Sequence, residues 1–140
     1  MKKIGIIGYS TAKFDEWKAR NILFKVFNQI MDEHGSDAII VSGGTMYGVP
    51  KLAYFMAARL GYKTIGVICK EGIDDKIFPN LSELIVEGDH WGDESEKFIE
   101  TIDELYRIGG GPQSLKEVEM AKKKGIPVYE YELEKIEDKD

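Results

Sequence analysis

The chain alternates between short apolar runs and longer segments that carry a single apolar stripe. Lys3–Gly8, Asp37–Val41 and Lys63–Cys69 are near-continuous apolar runs, the mark of strands buried on both faces. Glu83–Val86, Glu104–Ile108 and Pro127–Leu133 add three more; Pro127 takes a first position, where a strand tolerates proline. Helical spacing fills the gaps. From about Asp15, residues Leu23, Val26, Phe27, Ile30 and Met31 share one face, and Gly35 ends the helix. A second helix spans about Val49 to Leu60, with Leu52, Ala53, Met56, Ala57 and Leu60 on its stripe. Asp93 reads as an N-cap with Glu96 at the capping-box position, before Phe98, Ile99 and Ile102. A last helix runs from about Gln113 to Lys124 and stops at Gly125. Lys70–Asn80 and Gly88–Gly92 read as loops.

Such alternation predicts an α/β fold: three layers, Rossmann-like, with a mostly parallel sheet flanked by helices on both faces. The length, 140 residues, suits one domain. The expected division is a single domain over 1–133 and an acidic, frayed tail over 134–140. Ligands on such sheets bind beyond the C-terminal strand ends, near the switch in strand order.

Two glycine-rich turns fall at those ends. Ser42-Gly43-Gly44-Thr45-Met46-Tyr47-Gly48 follows the second strand. Gly109-Gly110-Gly111-Pro112-Gln113-Ser114 follows the fifth. Each joins a strand to a helix, a geometry that presents bare backbone N–H groups to an anion, usually a phosphate. Gly8-Tyr9-Ser10 makes a third turn after the first strand. Backbone amides of Gly43, Gly44, Gly110 and Gly111 are the candidate phosphate cradle, with Gly8 and Gly48 for tight turning. Ser10, Ser42, Thr45, Gln113 and Ser114 are candidate polar partners, and Tyr9, Met46 or Tyr47 a surface for a base or sugar. Glu117 has two open roles: the capping-box partner of Ser114, or a general base and ribose ligand. Arg107 either lies at a sheet margin with its head in solvent or pairs with a carboxylate or phosphate.

Charge and composition narrow the partners. The formal net charge of −6 argues against a nucleic-acid partner. Lys122-Lys123-Lys124 is a basic cluster, but it complements a helix C-terminus. No apolar stretch is long enough to cross a membrane. Cys69 is the sole cysteine. It reads as a buried thiol in a reducing, cytoplasmic setting. His34 reads as structural, at a helix C-terminus; His90 or Asp89, in a loop on the glycine-turn edge, could touch a ligand. Two histidines and one cysteine at these spacings suggest no metal site, and no cofactor is expected.

The turns together resemble the SLOG superfamily, which contains the LOG-type and DprA/Smf-type Rossmann-like proteins. The resemblance covers nearly the whole chain. Gly8-Tyr9-Ser10 looks like the family's first-strand G-S-S turn. Gly43-Gly44-Thr45-Met46-Tyr47-Gly48 is similar to its G-G-G-x-x-G turn, with Thr45 at the third glycine. Gly109 through Glu117 is similar to P-G-G-x-G-T-x-x-E, with Gly109 for Pro, Gln113 for Gly and Ser114 for Thr. Ala121-Lys122-Lys123-Lys124-Gly125-Ile126-Pro127-Val128 is also familiar there. The resemblance implies a small-molecule, nucleotide-like ligand and self-association into a homo-oligomer. LOG enzymes are phosphoribohydrolases, so it also implies N-glycosidic cleavage with Glu117 as the catalytic glutamate. Glu94 stands where their arginine would be. A third reading is an oligomerising scaffold with a vestigial pocket.

Overall fold

A computed structural model describes residues 1–137; part of the expected tail, 138–140, lies outside the described residues. Six strands form one sheet: β1 (Lys2–Gly8), β2 (Ala38–Ser42), β3 (Lys63–Ile68), β4 (Glu83–Val86), β5 (Glu104–Ile108) and β6 (Val128–Tyr131). Their order is β4-β3-β2-β1-β5-β6, and every pairing is parallel. The chain steps outward from β1 to β4, then returns to β1's other side for β5. The switch in strand order therefore lies between β1 and β5.

Five helices connect the strands: α1 (Glu16–His34), α2 (Gly48–Arg59), α3 (Lys70–Ile73), α4 (Ser95–Thr101) and α5 (Pro112–Lys124). Helices α1 and α2 cover one face, where Leu23, Phe27, Ile30, Leu52 and Ala53 pack on Ile4, Ile6, Ile40 and Tyr106. Helices α4 and α5 cover the other, where Phe98, Ile99, Val118 and Ala121 meet Ile7, Val41, Val67 and Leu105. The sign alternates along a strand, Ile40 to one face and Val41 to the other, as a pleat requires. The expected three-layer α/β fold is what the chain adopts. Among the described residues, no helix is long and apolar enough to cross a membrane.

Several local readings change. Helix α4 starts at Ser95 with Glu94 as its N-cap. Asp93 does not cap it; its Oδ2 accepts from the N–H groups of Asp89 (3.0 Å) and His90 (2.9 Å) and so ties the preceding loop. The expected loop after β3 contains the single-turn α3, and Ile77 pairs with Thr45 across an isolated bridge. Of the two readings of Arg107, pairing with carboxylates holds: it is buried, and Nε donates to Glu130 at 2.9 Å, Nη1 to the Gly109 carbonyl at 2.9 Å, and Nη2 to Glu132. Met31 and Leu60 complete their stripes in sequence but stand 40% and 44% exposed. Beyond β6, Lys135 bridges Phe14, and the Ile136 N–H donates to the Lys13 carbonyl at 2.8 Å.

Candidate functional site

The C-terminal ends of β1, β2 and β5 enclose a cleft of about 290 Å³. It lies at the switch between β1 and β5, where the topology places ligand sites. One wall is Gly8, Tyr9 and Ser10 with Ser42, Gly43 and Thr45; the other is Gly111, Gln113, Ser114 and Glu117. These ten expected residues come together. Three others, Gly44, Gly48 and Gly110, do not line the cleft. Gly48 has φ +70°, and a Cβ there would meet the backbone of Tyr9 and Ser10. Gly110 has φ +103°, and its Cβ would sit 2.6 Å from Ser114 Cβ. Both shape the turns, where a side chain would clash. Gly44 spends its N–H inside the protein, donating to the Tyr54 hydroxyl at 3.0 Å.

The first wall is largely satisfied from within. Ser42 Oγ donates to the Ile6 carbonyl at 2.6 Å, and Tyr54, itself fully buried, donates to the Ile65 carbonyl at 2.8 Å. Thr45 Oγ1 donates to the Tyr47 carbonyl at 3.3 Å. Tyr9 turns its hydroxyl to the Leu133 carbonyl (2.8 Å) and stacks its ring on Phe14. Met46 and Tyr47 lie off the cleft; the Tyr47 hydroxyl donates to Asp75 at 2.9 Å, and burial with that bond pushes it up to about 12.

The second wall ends in an open helix. The α5 N-cap is Gly111, with no side chain capping it, and Pro112 has no N–H of its own. Ser114 does not cap this helix. The N–H groups of Gln113 and Ser114, in the first turn, have no intrahelical acceptor, and both residues line the cleft at the positive end of the helix dipole.

Glu117 is no capping-box partner either. Its Oε2 accepts from Ser95 Oγ at 2.8 Å and lies 3.5 Å from Gln113 Nε2. The same Gln113 nitrogen donates to Glu94 Oε2 at 3.1 Å, and Glu94 Oε1 accepts from the Gly92 N–H at 2.7 Å. Both carboxylates are 6% exposed and both line the cleft. Burial pushes the Glu117 carboxyl up to about 7; the Ser95 and Gln113 bonds oppose this, and Glu94 reinforces it. Among the described residues, no Lys, Arg or His lines the cleft.

Sequence reading missed Ser95, bonded to Glu117, and Glu94 as site residues, and also Trp91, which lines the cleft and is half-exposed. The misplaced start of α4 hid the first two. His90 and Asp89 lie off the cleft, on the exposed side of their loop. Cys69 is fully buried, and burial raises its thiol.

Fold and cleft define a class: a doubly wound, Rossmann-like α/β domain with a pocket at its topological switch. The solved structures that resemble it are more particular. The Moco carrier protein from Chlamydomonas reinhardtii matches over 92% of this chain and 75% of its own, at 28% identity and a TM-score of 0.75. The molybdenum cofactor binding protein from Rippkaea orientalis matches over the same shares at 21% identity and a TM-score of 0.73. The protein TM1055 matches over 91% of this chain and 72% of its own, at 23% identity and a TM-score of 0.74. The latter two, at their lower identity, show the fold alone. No protein-family model matches the chain, and no curated protein does.

Proposed function

We propose that this chain binds a phosphorylated heterocyclic small molecule in the β1/β5 cleft, as a carrier or sensor of the SLOG type. One observation carries the reading: the uncapped N-terminus of α5 opens into the same cleft as two buried carboxylates. The two features ask for opposite ends of one ligand. The Gln113 and Ser114 amides suit a phosphate. Ser10, exposed on the facing wall, adds a hydroxyl. Glu94 and Glu117 accept hydrogen bonds, so they suit a ring edge rich in N–H groups. Trp91 offers a flat surface for the ring.

A nucleotide has that form. So does the molybdenum cofactor, a pterin with a phosphate, which the Chlamydomonas reinhardtii neighbour carries. The donor set fits such a cargo at both ends: helix amides for the phosphate, carboxylates for the amino-pyrimidine edge.

Thermal denaturation against nucleoside monophosphates and a pterin phosphate tests this. At least one should raise the Tm; a ligand at a hundred times its Kd stabilises by about 2.7 kcal/mol. No shift from any of them, with no small molecule released from denatured protein in mass spectrometry, overturns the reading.

The Glu117 carboxyl favours a second reading. A buried acid pushed up to about 7 is matched to proton transfer near neutral pH. Cleavage of an N-glycosidic bond would release free base from a nucleoside monophosphate, and Glu117→Gln would abolish that release. Binding without release leaves the carrier reading alone.

A further inference from the structure

We propose that Glu33, His34 and Glu104 form a binding site for a divalent cation of the zinc class. The site stands at the opposite end of the sheet from the cleft. Glu33 and His34 close α1, and Glu104 opens β5. One ligand atom from each of the three lies within 4.8 Å of the others. His34 Nε2 is 2.6 Å from Glu104 Oε2 and 3.7 Å from Glu33 Oε2.

The charges around the trio are unbalanced. Among the described residues, no Lys or Arg pairs with Glu33 or Glu104; the other neighbour of Glu33 is the neutral Gln29 amide, at 3.1 Å. Glu104 is 7% exposed, and an anion so buried needs a compensating charge. The last turn of α1 adds the negative end of its dipole. One imidazole carries at most a single positive charge, so it cannot balance two carboxylates and a helix C-terminus, and a divalent cation does.

Tyr106 points to the same place independently. It follows Glu104 by two residues and shares its face of the sheet. It is fully buried, and its hydroxyl is the one buried side-chain polar atom without a hydrogen-bond partner among the described residues. Three protein ligands leave a fourth position open to water. One imidazole nitrogen with carboxylate oxygens is a zinc-type donor set, whereas magnesium and calcium need six or more oxygens. Glu33 is half in solvent, which leaves an entry path.

The test uses the full chain, stripped with EDTA and titrated with zinc sulfate by calorimetry and thermal shift. One zinc ion should bind per chain and raise the Tm. His34→Ala should weaken binding by more than about 100-fold, because losing even an outer-shell partner of a metal ligand costs about 10–100-fold. His90→Ala should leave it unchanged. Should His34→Ala not fold, Glu33→Gln at the exposed edge should still weaken binding at least about tenfold. No stoichiometric binding at micromolar zinc overturns the site, as does binding that survives His34→Ala or disappears with His90→Ala.

Discussion

The two glycine-rich turns look alike in sequence and end in opposite states. In the first, polar groups are spent inside the protein. Gly44 gives its N–H to Tyr54, its carbonyl accepts from the Phe78 N–H at 2.8 Å, and the Met46 N–H goes to the Lys76 carbonyl at 2.9 Å. In the second, α5 begins without a side-chain cap, and two buried carboxylates stand behind it. A glycine turn is thus an anion site only where its amides have no other acceptor. The first turn holds strands and helices together; the second leaves the N-terminus of α5 without a side-chain cap at the edge of the cleft.

The first turn should therefore answer in stability. Gly48 combines φ +70° with backbone contacts on its would-be Cβ, from Tyr9 and Ser10. Neither neighbour can yield without moving the end of β1. Gly48→Ala should cost about 4 kcal/mol, the range of a strained backbone with a steric clash. Urea denaturation checks this. A cost under about 1 kcal/mol would show that the first turn is as loosely held as the second.

The second turn should answer in pH. Glu117 ionises near 4.5 in an unfolded chain and at about 7 in the folded one. The folded state then holds a proton that the unfolded state has lost, so stability falls as pH rises from 4.5 to 7. Above pH 7 the full cost of a buried carboxylate applies, about 3 kcal/mol; below 4.5 it is absent. Glu117→Gln keeps the Ser95 and Gln113 side chains near a neutral group. It should gain most over the parent above pH 7 and least in acid. Equal stabilities at pH 5 and pH 8, in both proteins, would show that the cleft hydrates Glu117 fully.

Much of the scaffold was legible because its signals are local. Glu83–Val86 and Glu104–Ile108 are strands at the very residues that apolar runs mark. Gly35 and Gly125 end α1 and α5 as expected, each with its N–H on a carbonyl of the preceding helix. Apart from Asp93, whose partners lie in its own loop, what escaped depends on partners distant in sequence. Asp93 has the spacing of an N-cap, yet its carboxylate finds two nearer N–H groups in its own loop. Glu117 has the spacing of a capping box, yet Ser95, on a different helix, takes it. Arg107 leaves two readings open, solvent or a carboxylate, until β6 comes alongside with Glu130 opposite it in register. Tyr54 closes Gly44 from across the helix layer, and nothing near Gly44 announces it.

The smallest change in stability belongs to Gly111, where the two turns part most sharply. Its φ of −97° is ordinary for any residue, and a Cβ there meets nothing within 4 Å. Gly111→Leu should cost about 0.5 kcal/mol, the difference between glycine and an apolar residue at an N-cap. The leucine side chain would enter the cleft beside the Gln113 and Ser114 amides, where the phosphate is proposed to sit. Binding of whichever phosphorylated ligand raises the Tm of the parent should fall by at least about tenfold, or about 1.4 kcal/mol. Gly111→Ser separates space from capping: its hydroxyl can take the free helix amides, so it should stabilise the fold slightly while competing with the phosphate. Parent-like affinity in both variants would place the ligand away from α5, and the second turn would then be as closed in function as the first is in structure.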